Sequence, residues 1–187
     1  MKKALISFLA GILVISGCSS TTTSTTENNP LYYAYGNNSY SIQVPNDWEV
    51  ITEFTSNYPQ NTIAAFRNNV KNDQFIANIN IVANTVEEGL SNGDYALEML
   101  QSHSESLIDY KLLEKTEINI NVGGQLSPTY MTVFQGRNSV DGDLLQFTQI
   151  YGINKGFGYI ATATLLPDED QFVVETAIHM IESLEVK

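Results

Sequence analysis

The sequence predicts an α+β fold: a single domain built on a mostly antiparallel β-sheet that is flanked by helices. Four strand-like segments follow one another between positions 112 and 166, and short turn-forming stretches separate them, as in hairpins of an antiparallel sheet. One segment with helical periodicity precedes this run and another follows it, which supplies helices to cover the sheet. The 187 residues show no internal repeat, so one domain plus an N-terminal extension accounts for the chain.

The first 17 residues have the layout of a secretory signal. Lys2 and Lys3 form a positive start, and the segment 4–15 ("ALISFLAGILVI") is apolar at nearly every position. This run is shorter than the roughly 20 apolar residues that a membrane-spanning helix needs. We therefore predict a cleaved lipoprotein signal peptide over residues 1–17.

The end of this segment predicts a lipid anchor. An aliphatic residue, two small residues and the one cysteine of the chain follow one another as Ile15, Ser16, Gly17 and Cys18. This sequence resembles the bacterial lipobox, and the resemblance implies acylation of the Cys18 sulfur and cleavage before Cys18. The alternative, a core or metal-binding cysteine, is weaker because a lone cysteine forms neither an internal disulfide nor a multi-cysteine zinc site.

Residues 18–30 are predicted to be a lipidated cysteine followed by a flexible linker. The segment 19–30 ("SSTTTSTTENNP") has no apolar side chain before Pro30, so it has nothing to bury. A flexible chain of this length spans on the order of 20 Å, which would keep the domain, residues 31–187, close to its cell membrane. In a host with two membranes, Ser19 after Cys18 favours the periplasmic face of the outer membrane.

The charge balance excludes nucleic acid as a partner. The chain has 9 basic and 21 acidic residues, and removal of Lys2 and Lys3 leaves 7 basic against 21 acidic, a net charge of −14. Nucleic-acid phosphates require clusters of Lys and Arg. The acidity favours solubility outside the cytoplasm, with a cation or a basic partner as the more specific alternative.

The elements of the domain follow from periodicity in chain order. The segment 40–44 breaks at a Pro-Asn-Asp turn and resumes over 48–54, and 61–68 and 74–84 are two further strand-like runs. A helix is predicted over 91–110, with capping candidates at Ser91 to Asp94. Four strands over 112–122, 125–135, 144–153 and 157–166 come next, and a final helix spans 168–184.

Three stretches of sequence resemble the PsbP-like family, which lies within the wider Mog1/PsbP fold. "YSIQVPNDWEV" matches the family's opening strand, Pro-centred turn and Trp, here Pro45 and Trp48. "YIATAT" over 159–164 matches the strand before the last helix, and "IESLEV" matches its end, with Leu184 in the usual aromatic place. The resemblance covers roughly 35–184 and implies an antiparallel sheet sandwiched between helices, an α/β/α arrangement.

The family resemblance leaves the function open, because its motifs concern packing and turns. Some relatives assist the oxygen-evolving photosystem, and others are bacterial lipoproteins or transport-linked adaptors. The lipobox points to the bacterial lipoprotein branch, and no relative's functional residue matches a residue here.

The sequence predicts no catalytic, cofactor-binding or metal site. His103 and His179 lack ligand spacing, and the serines around His103 lack a recognisable base. The acidic pairs and triplets at 87–88, 141–143 and 168–170 lack the spacing of a calcium loop and are typical of turns and helix starts. An exposed docking surface at the aromatic cluster of Tyr32, Tyr33 and Tyr35 is a less favoured alternative.

These patterns favour a membrane-anchored bacterial envelope lipoprotein, non-enzymatic, that binds or assists a membrane or envelope protein complex. The membrane partner is reached through the lipid on Cys18, and a protein partner of unknown identity is expected. The alternative is a lipoprotein that binds a small ligand or a cation, which the acidic charge motivates.

Overall fold

The computed structural model describes residues 31–54, 58–69 and 75–187. The predicted signal peptide 1–17, the linker 18–30 and the lipobox residues Ile15, Ser16, Gly17 and Cys18 lie outside the described residues. Ten strands and two helices form one domain, in the order β1 Tyr32–Gly36, β2 Tyr40–Pro45, β3 Trp48–Ile51, β4 Thr62–Asn68, β5 Asn78–Thr85, α1 Asn92–Ser106, β6 Ile108–Val122, β7 Gln125–Arg137, β8 Leu145–Asn154, β9 Phe157–Leu165, α2 Gln171–Glu182 and β10 Glu185–Val186.

All ten strands belong to one curled sheet, in the order β1-β2-β10-β6-β7-β8-β9-β5-β4-β3. Every neighbouring pair is antiparallel except β10 and β6, which are parallel. The curl brings the two ends of the sheet together, because Tyr35 of β1 packs edge-on against Phe66 of β4 with ring centroids 5.1 Å apart. The predicted antiparallel α+β fold is confirmed.

The two helices pack on opposite faces of the sheet. The sheet has two wings, β1-β2 on one side of β10 and the strands from β6 to β3 on the other. Helix α2 lies inside the curl and buries Ala177, Met180 and Ile181 against strands of both wings. Helix α1 covers part of the outer face, where Tyr95 and Ala96 join a second apolar cluster. The strands alternate accordingly, with successive side chains directed to the inner and the outer face. The predicted α/β/α arrangement is therefore confirmed.

The helix ends are fixed by side-chain caps. The Ser91 hydroxyl accepts a hydrogen bond from the Asp94 backbone N–H at 3.1 Å, as expected for the N-cap of α1. Asp170 caps α2 by accepting from the Phe172 N–H at 2.9 Å, so the helix begins at Gln171 and not at position 168 as predicted.

Other details of the predicted elements are also wrong. Helix α1 ends at Ser106 and not at position 110 as predicted. Strand β6 begins at Ile108, four residues before the predicted start, because Ile108 pairs with Arg137 of β7 and Arg137 contacts the Asp109 carboxylate at 3.1 Å. Strands β1 and β10 lack predicted counterparts. The two-residue β10 lies between β2 and β6 and joins the wings of the sheet.

No described helix is long and apolar enough to cross a membrane.

Gly158 allows α1 to approach the sheet, since a Cβ at this position would lie 2.5 Å from the Tyr95 ring. We expect Gly158→Ala to lower the free energy of unfolding by about 1–3 kcal/mol, because the ring and the helix that carries it must shift. Urea denaturation measures the change.

Gly93→Ala is the matched control. Gly93 lies in α1, and a Cβ there would be an ordinary 3.6 Å from the Tyr130 ring. We expect this substitution to raise the free energy of unfolding by roughly 0.5–1 kcal/mol because alanine loses less backbone entropy in a helix. Equal urea midpoints for Gly158→Ala and the unmodified protein would contradict the close packing of Gly158 against the Tyr95 ring.

Candidate functional site

The outer face of the central strands changes from apolar to polar where α1 stops covering it. Under the helix, Val82, Ile160 and Tyr151 form one cross-strand row on β5, β9 and β8. Beyond it on the same face, two rows of mainly polar side chains pair directly across the strands: Asn80, Thr162 and Gln149 in the first, and Asn78 and Thr164, with Phe147 at their edge, in the second.

These two rows form the floor of an open groove of about 880 Å³, which we call the amide groove. Its floor is defined by Asn78, Asn80, Gln149, Thr162 and Thr164. The volume is in the range of small-molecule binding sites.

The borders of the amide groove are largely apolar and aromatic. Phe134 and Phe147 stack with centroids 5.3 Å apart, and the His103 ring of α1 stacks on Phe134 at 5.0 Å. Tyr58 and Phe75 line the border formed by the chain around β4 and β5. The groove therefore combines a hydrogen-bonding floor with ring faces at its sides.

A buried hydrogen-bond network ties the floor to α1. The Gln149 Oε1 accepts from the Tyr151 hydroxyl at 2.8 Å and lies 3.0 Å from His103 Nε2. Because an amide oxygen only accepts, the His103 Nε2–H is the donor. The Gln149 amide N–H donates to Thr162 Oγ1 at 2.9 Å, and Thr132 contacts the Tyr151 hydroxyl at 2.9 Å.

Burial holds His103 in its neutral form. Burial lowers the pKa of His103, and the hydrogen bond with Gln149 offsets part of that effect. Burial likewise raises the pKa of the Tyr151 hydroxyl, which stays protonated and able to donate. The α1 border of the groove thus carries no charge from these two groups at neutral pH.

Two polar side chains of the floor have no hydrogen-bond partner among the described residues. Asn80 is 8% exposed and Thr164 is 7% exposed. Within 31–54, 58–69 and 75–187, no side-chain hydrogen bond is formed by either residue. The unpaired polar atoms of both side chains remain accessible to solvent, so both side chains can be reached from the groove. Buried polar groups are normally satisfied, so these two are available to a ligand.

The rim carries little usable positive charge. Arg67 pairs with the Glu49 carboxylate at 2.7 Å, and Glu53 adds a second carboxylate at the same side. In the part of the chain that the structure describes, no three His, Cys, Asp or Glu side chains group so that they could hold a metal ion.

The aromatic residues singled out from the sequence lie in different surroundings in the structure. Of the three tyrosines considered as an exposed docking surface, Tyr32 packs edge-on against His179 at 4.6 Å and Tyr35 packs against Phe66. The segment is strand β1, and two of its rings turn onto α2 and β4, so the three rings do not form one exposed patch. Only Tyr33 counts as exposed. Trp48 is buried, as expected of a core residue.

His103 belongs to the amide groove, whereas sequence reasoning assigned it to no site because it lacks ligand spacing. The floor residues were missed altogether. One signal for them existed in the sequence, since Asn78 and Asn80 alternate with Ile79 and Ile81 in a strand that is otherwise buried.

Comparison with solved structures shows that the chain has the Mog1/PsbP fold. The Saccharomyces cerevisiae Ran-binding protein Mog1p matches with a TM-score of 0.58 at 8% identity, over 84% of this chain and 96% of its own. Cyanobacterial PsbP (CyanoP) from Synechocystis matches with a TM-score of 0.53 at 15% identity, over 83% and 92%.

A third structure with this fold is LpqN of Mycobacterium tuberculosis, described as involved in cell envelope biogenesis. It matches with a TM-score of 0.51 at 15% identity, over 86% of this chain and 92% of its own. No protein-family model and no curated protein matches the sequence significantly. The structural likeness confirms at the level of fold the resemblance seen in the sequence.

Replacing Tyr151 by Phe tests the buried network. The change removes one hydroxyl and leaves Thr132 and the Gln149 oxygen without that partner. We expect the free energy of unfolding to fall by about 1–3 kcal/mol. In Tyr159→Phe, a matched control at a hydroxyl with no hydrogen bond to the described residues, the change should be close to zero. Equal losses of unfolding free energy in Tyr151→Phe and Tyr159→Phe, measured by urea denaturation, would contradict the network.

The neutral state of His103 gives stability a pH dependence of known sign. Because the folded-state pKa lies below the unfolded value of about 6.5, the unfolded chain takes up the proton first as pH falls. Stability from neutral His103 is complete above about pH 6.5 and is lost as pH falls through the folded-state pKa. We expect the drop in Tm between about pH 7.5 and about pH 5 to be smaller in His103→Gln than in the unmodified protein. Identical drops would contradict this assignment.

Proposed function

We propose that this protein is a membrane-anchored bacterial envelope lipoprotein, non-enzymatic, that binds or assists a membrane or envelope protein complex. Acyl chains on Cys18 hold it at the membrane, and the linker 19–30 keeps the domain close to that surface. In a host with two membranes, we place the anchor in the outer membrane, on its periplasmic face.

The lipobox is the observation that carries the proposal. Ile15, Ser16, Gly17 and Cys18 follow a charged start and a short apolar run, which is the context in which this motif directs lipid attachment. Each acyl methylene that enters the bilayer contributes about 0.8 kcal/mol, so two or three chains anchor a protein stably.

The fold supports a role in binding. The description of LpqN names cell envelope biogenesis, and that of Mog1p names the binding of Ran. These descriptions concern those proteins, and they supply an analogy at the level of fold. The net charge of −14 after removal of the signal favours a partner surface that is basic.

The amide groove favours a second candidate function, the binding of a small ligand. A volume of about 880 Å³ and two floor side chains without a hydrogen-bond partner among the described residues are features of a ligand site. This function is compatible with the first, since a tethered protein can deliver or sense a ligand for a neighbouring complex.

Replacing Cys18 by Ala tests the anchor. We expect the variant to incorporate no labelled palmitate and to leave the membrane fraction, because the thiolate that accepts the lipid is missing. The measurement is palmitate labelling followed by fractionation of membranes. Labelled lipid on Cys18→Ala would overturn the anchor.

Crosslinking in native membranes tests the partner, with Cys18→Ala as the control for tethering. A protein that is recovered with the acylated form and lost with the variant would support a tethered adaptor. An acylated, folded and abundant protein that crosslinks to nothing would count against the first function and favour the second.

A further inference from the structure

We propose that the amide groove is a binding site for a neutral carbohydrate, with a sugar ring lying over the paired side chains of β5, β9 and β8. This inference deepens the ligand-binding candidate function and rests on it. Five features of the groove lead to this ligand class.

The floor offers both donors and acceptors in a regular pattern. Asn78, Asn80 and Thr164 each carry groups able to donate and to accept. Asn78 and Thr164 pair on neighbouring strands about 4.8 Å apart, a separation that suits alternate hydroxyls of a sugar ring, and Asn80 lies two residues along β5. Sugar hydroxyls also both donate and accept. An anionic ligand would only accept hydrogen bonds and a cationic ligand would only donate them, so either would use only half of the hydrogen-bonding groups of the floor.

The unpartnered side chains identify where the hydrogen bonds would form. The amide of Asn80 and the hydroxyl of Thr164 make no hydrogen bond within the described residues and open onto the groove. Gln149, in contrast, is already engaged by Tyr151 and Thr162. The engaged residues stiffen the floor, and the unpartnered ones are free to meet a ligand.

The aromatic border suits the apolar face of a sugar. Phe147 stands beside Thr164 in the second row and stacks on Phe134, and Tyr58 lines the opposite border. A pyranose ring has hydroxyls at its edge and C–H groups on its faces. It can therefore bond the floor while its C–H groups pack on the rings, as other amphipathic partners do.

The charges around the groove disfavour an anionic ligand. Glu49 neutralises Arg67 at 2.7 Å, Glu53 adds a negative charge, and the His103 Nε2–H is committed to Gln149. A phosphate or carboxylate would meet no free cation among the described residues that line the groove.

The backbone at the floor disfavours an extended peptide. Strands β5, β9 and β8 are each paired on both sides, so their backbone groups are already satisfied. A peptide that adds a strand needs a free sheet edge, which the floor of the amide groove does not present. Recognition there must use side chains.

Saturation-transfer NMR on the membrane-extracted full-length protein, kept in a detergent without a sugar headgroup, tests the inference. The probes are maltotriose and N-acetylated chitotriose, each added to about 20 mM, above the millimolar dissociation constants that a few hydrogen bonds support. We expect transfer to ring protons of at least one neutral trisaccharide. Trigalacturonate, the anionic control, should receive none.

Asn80→Leu and Asn119→Leu form the matched pair of variants. Asn80→Leu removes the groove amide at similar volume and should weaken binding at least about tenfold. It should not lower Tm, because the Asn80 side chain has no hydrogen bond to the described residues. Asn119 is exposed on β6, and its substitution should leave binding unchanged.

Transfer to neither neutral trisaccharide, or unchanged affinity in Asn80→Leu, would overturn the carbohydrate site. A protein crosslinked through the groove in native membranes, with no sugar bound, would assign it to a protein segment instead. Palmitate labelling of Cys18 tests the lipid anchor independently of sugar binding. An acylated protein that binds no sugar would refute only this inference, and an unacylated protein that binds sugar would refute only the anchor.

Discussion

Helix α2 is buried between the two wings of the sheet, and the curl of the sheet follows from this contact. Ala177, Met180 and Ile181 are fully buried, and the strands around them come from both wings. A flat sheet would cover only one side of such a helix and leave its other apolar residues in water. Closing the sheet around α2 brings β1 against β4, so the inner face is filled and any open surface must lie outside.

Helix α1 covers only part of the outer face of the sheet. The side chains of this face are apolar under the helix and mainly polar beyond it. Helix α1 lies over the apolar row that includes Val82 and Tyr151, and the adjacent row places Asn80 and Gln149 where the helix gives less shelter. An apolar row in that place would expose a patch prone to association. Polar side chains avoid this outcome, and because they stand on strands that are paired on both sides, they form a rigid polar surface.

Local signals predicted the fold because they concern neighbours in the sequence. The Ser91 cap and the Gly123-Gly124 turn, where both residues have positive φ, are set by a few adjacent residues. Strand β10 has two residues and no local pattern, and it exists only because β2 and β6 leave a place for it. The candidate site was equally hidden, since Asn80 and Gln149 are far apart in sequence and become neighbours only through the order β8-β9-β5. The anchor at Cys18 was read from a motif and stays a prediction.

Strand β10 also determines when the fold can be completed. It follows every other element along the chain, yet it joins β2 to β6, with the Gly123 N–H bonded to the Val186 carbonyl at 2.7 Å and the Lys187 N–H bonded to the Ser39 carbonyl at 2.8 Å. The sheet cannot become continuous until these residues have emerged from the ribosome. Pairing of strands so distant in sequence is slow. The hairpins between neighbouring strands can therefore form while the chain is still being synthesised, and the sheet becomes one continuous piece in a later step.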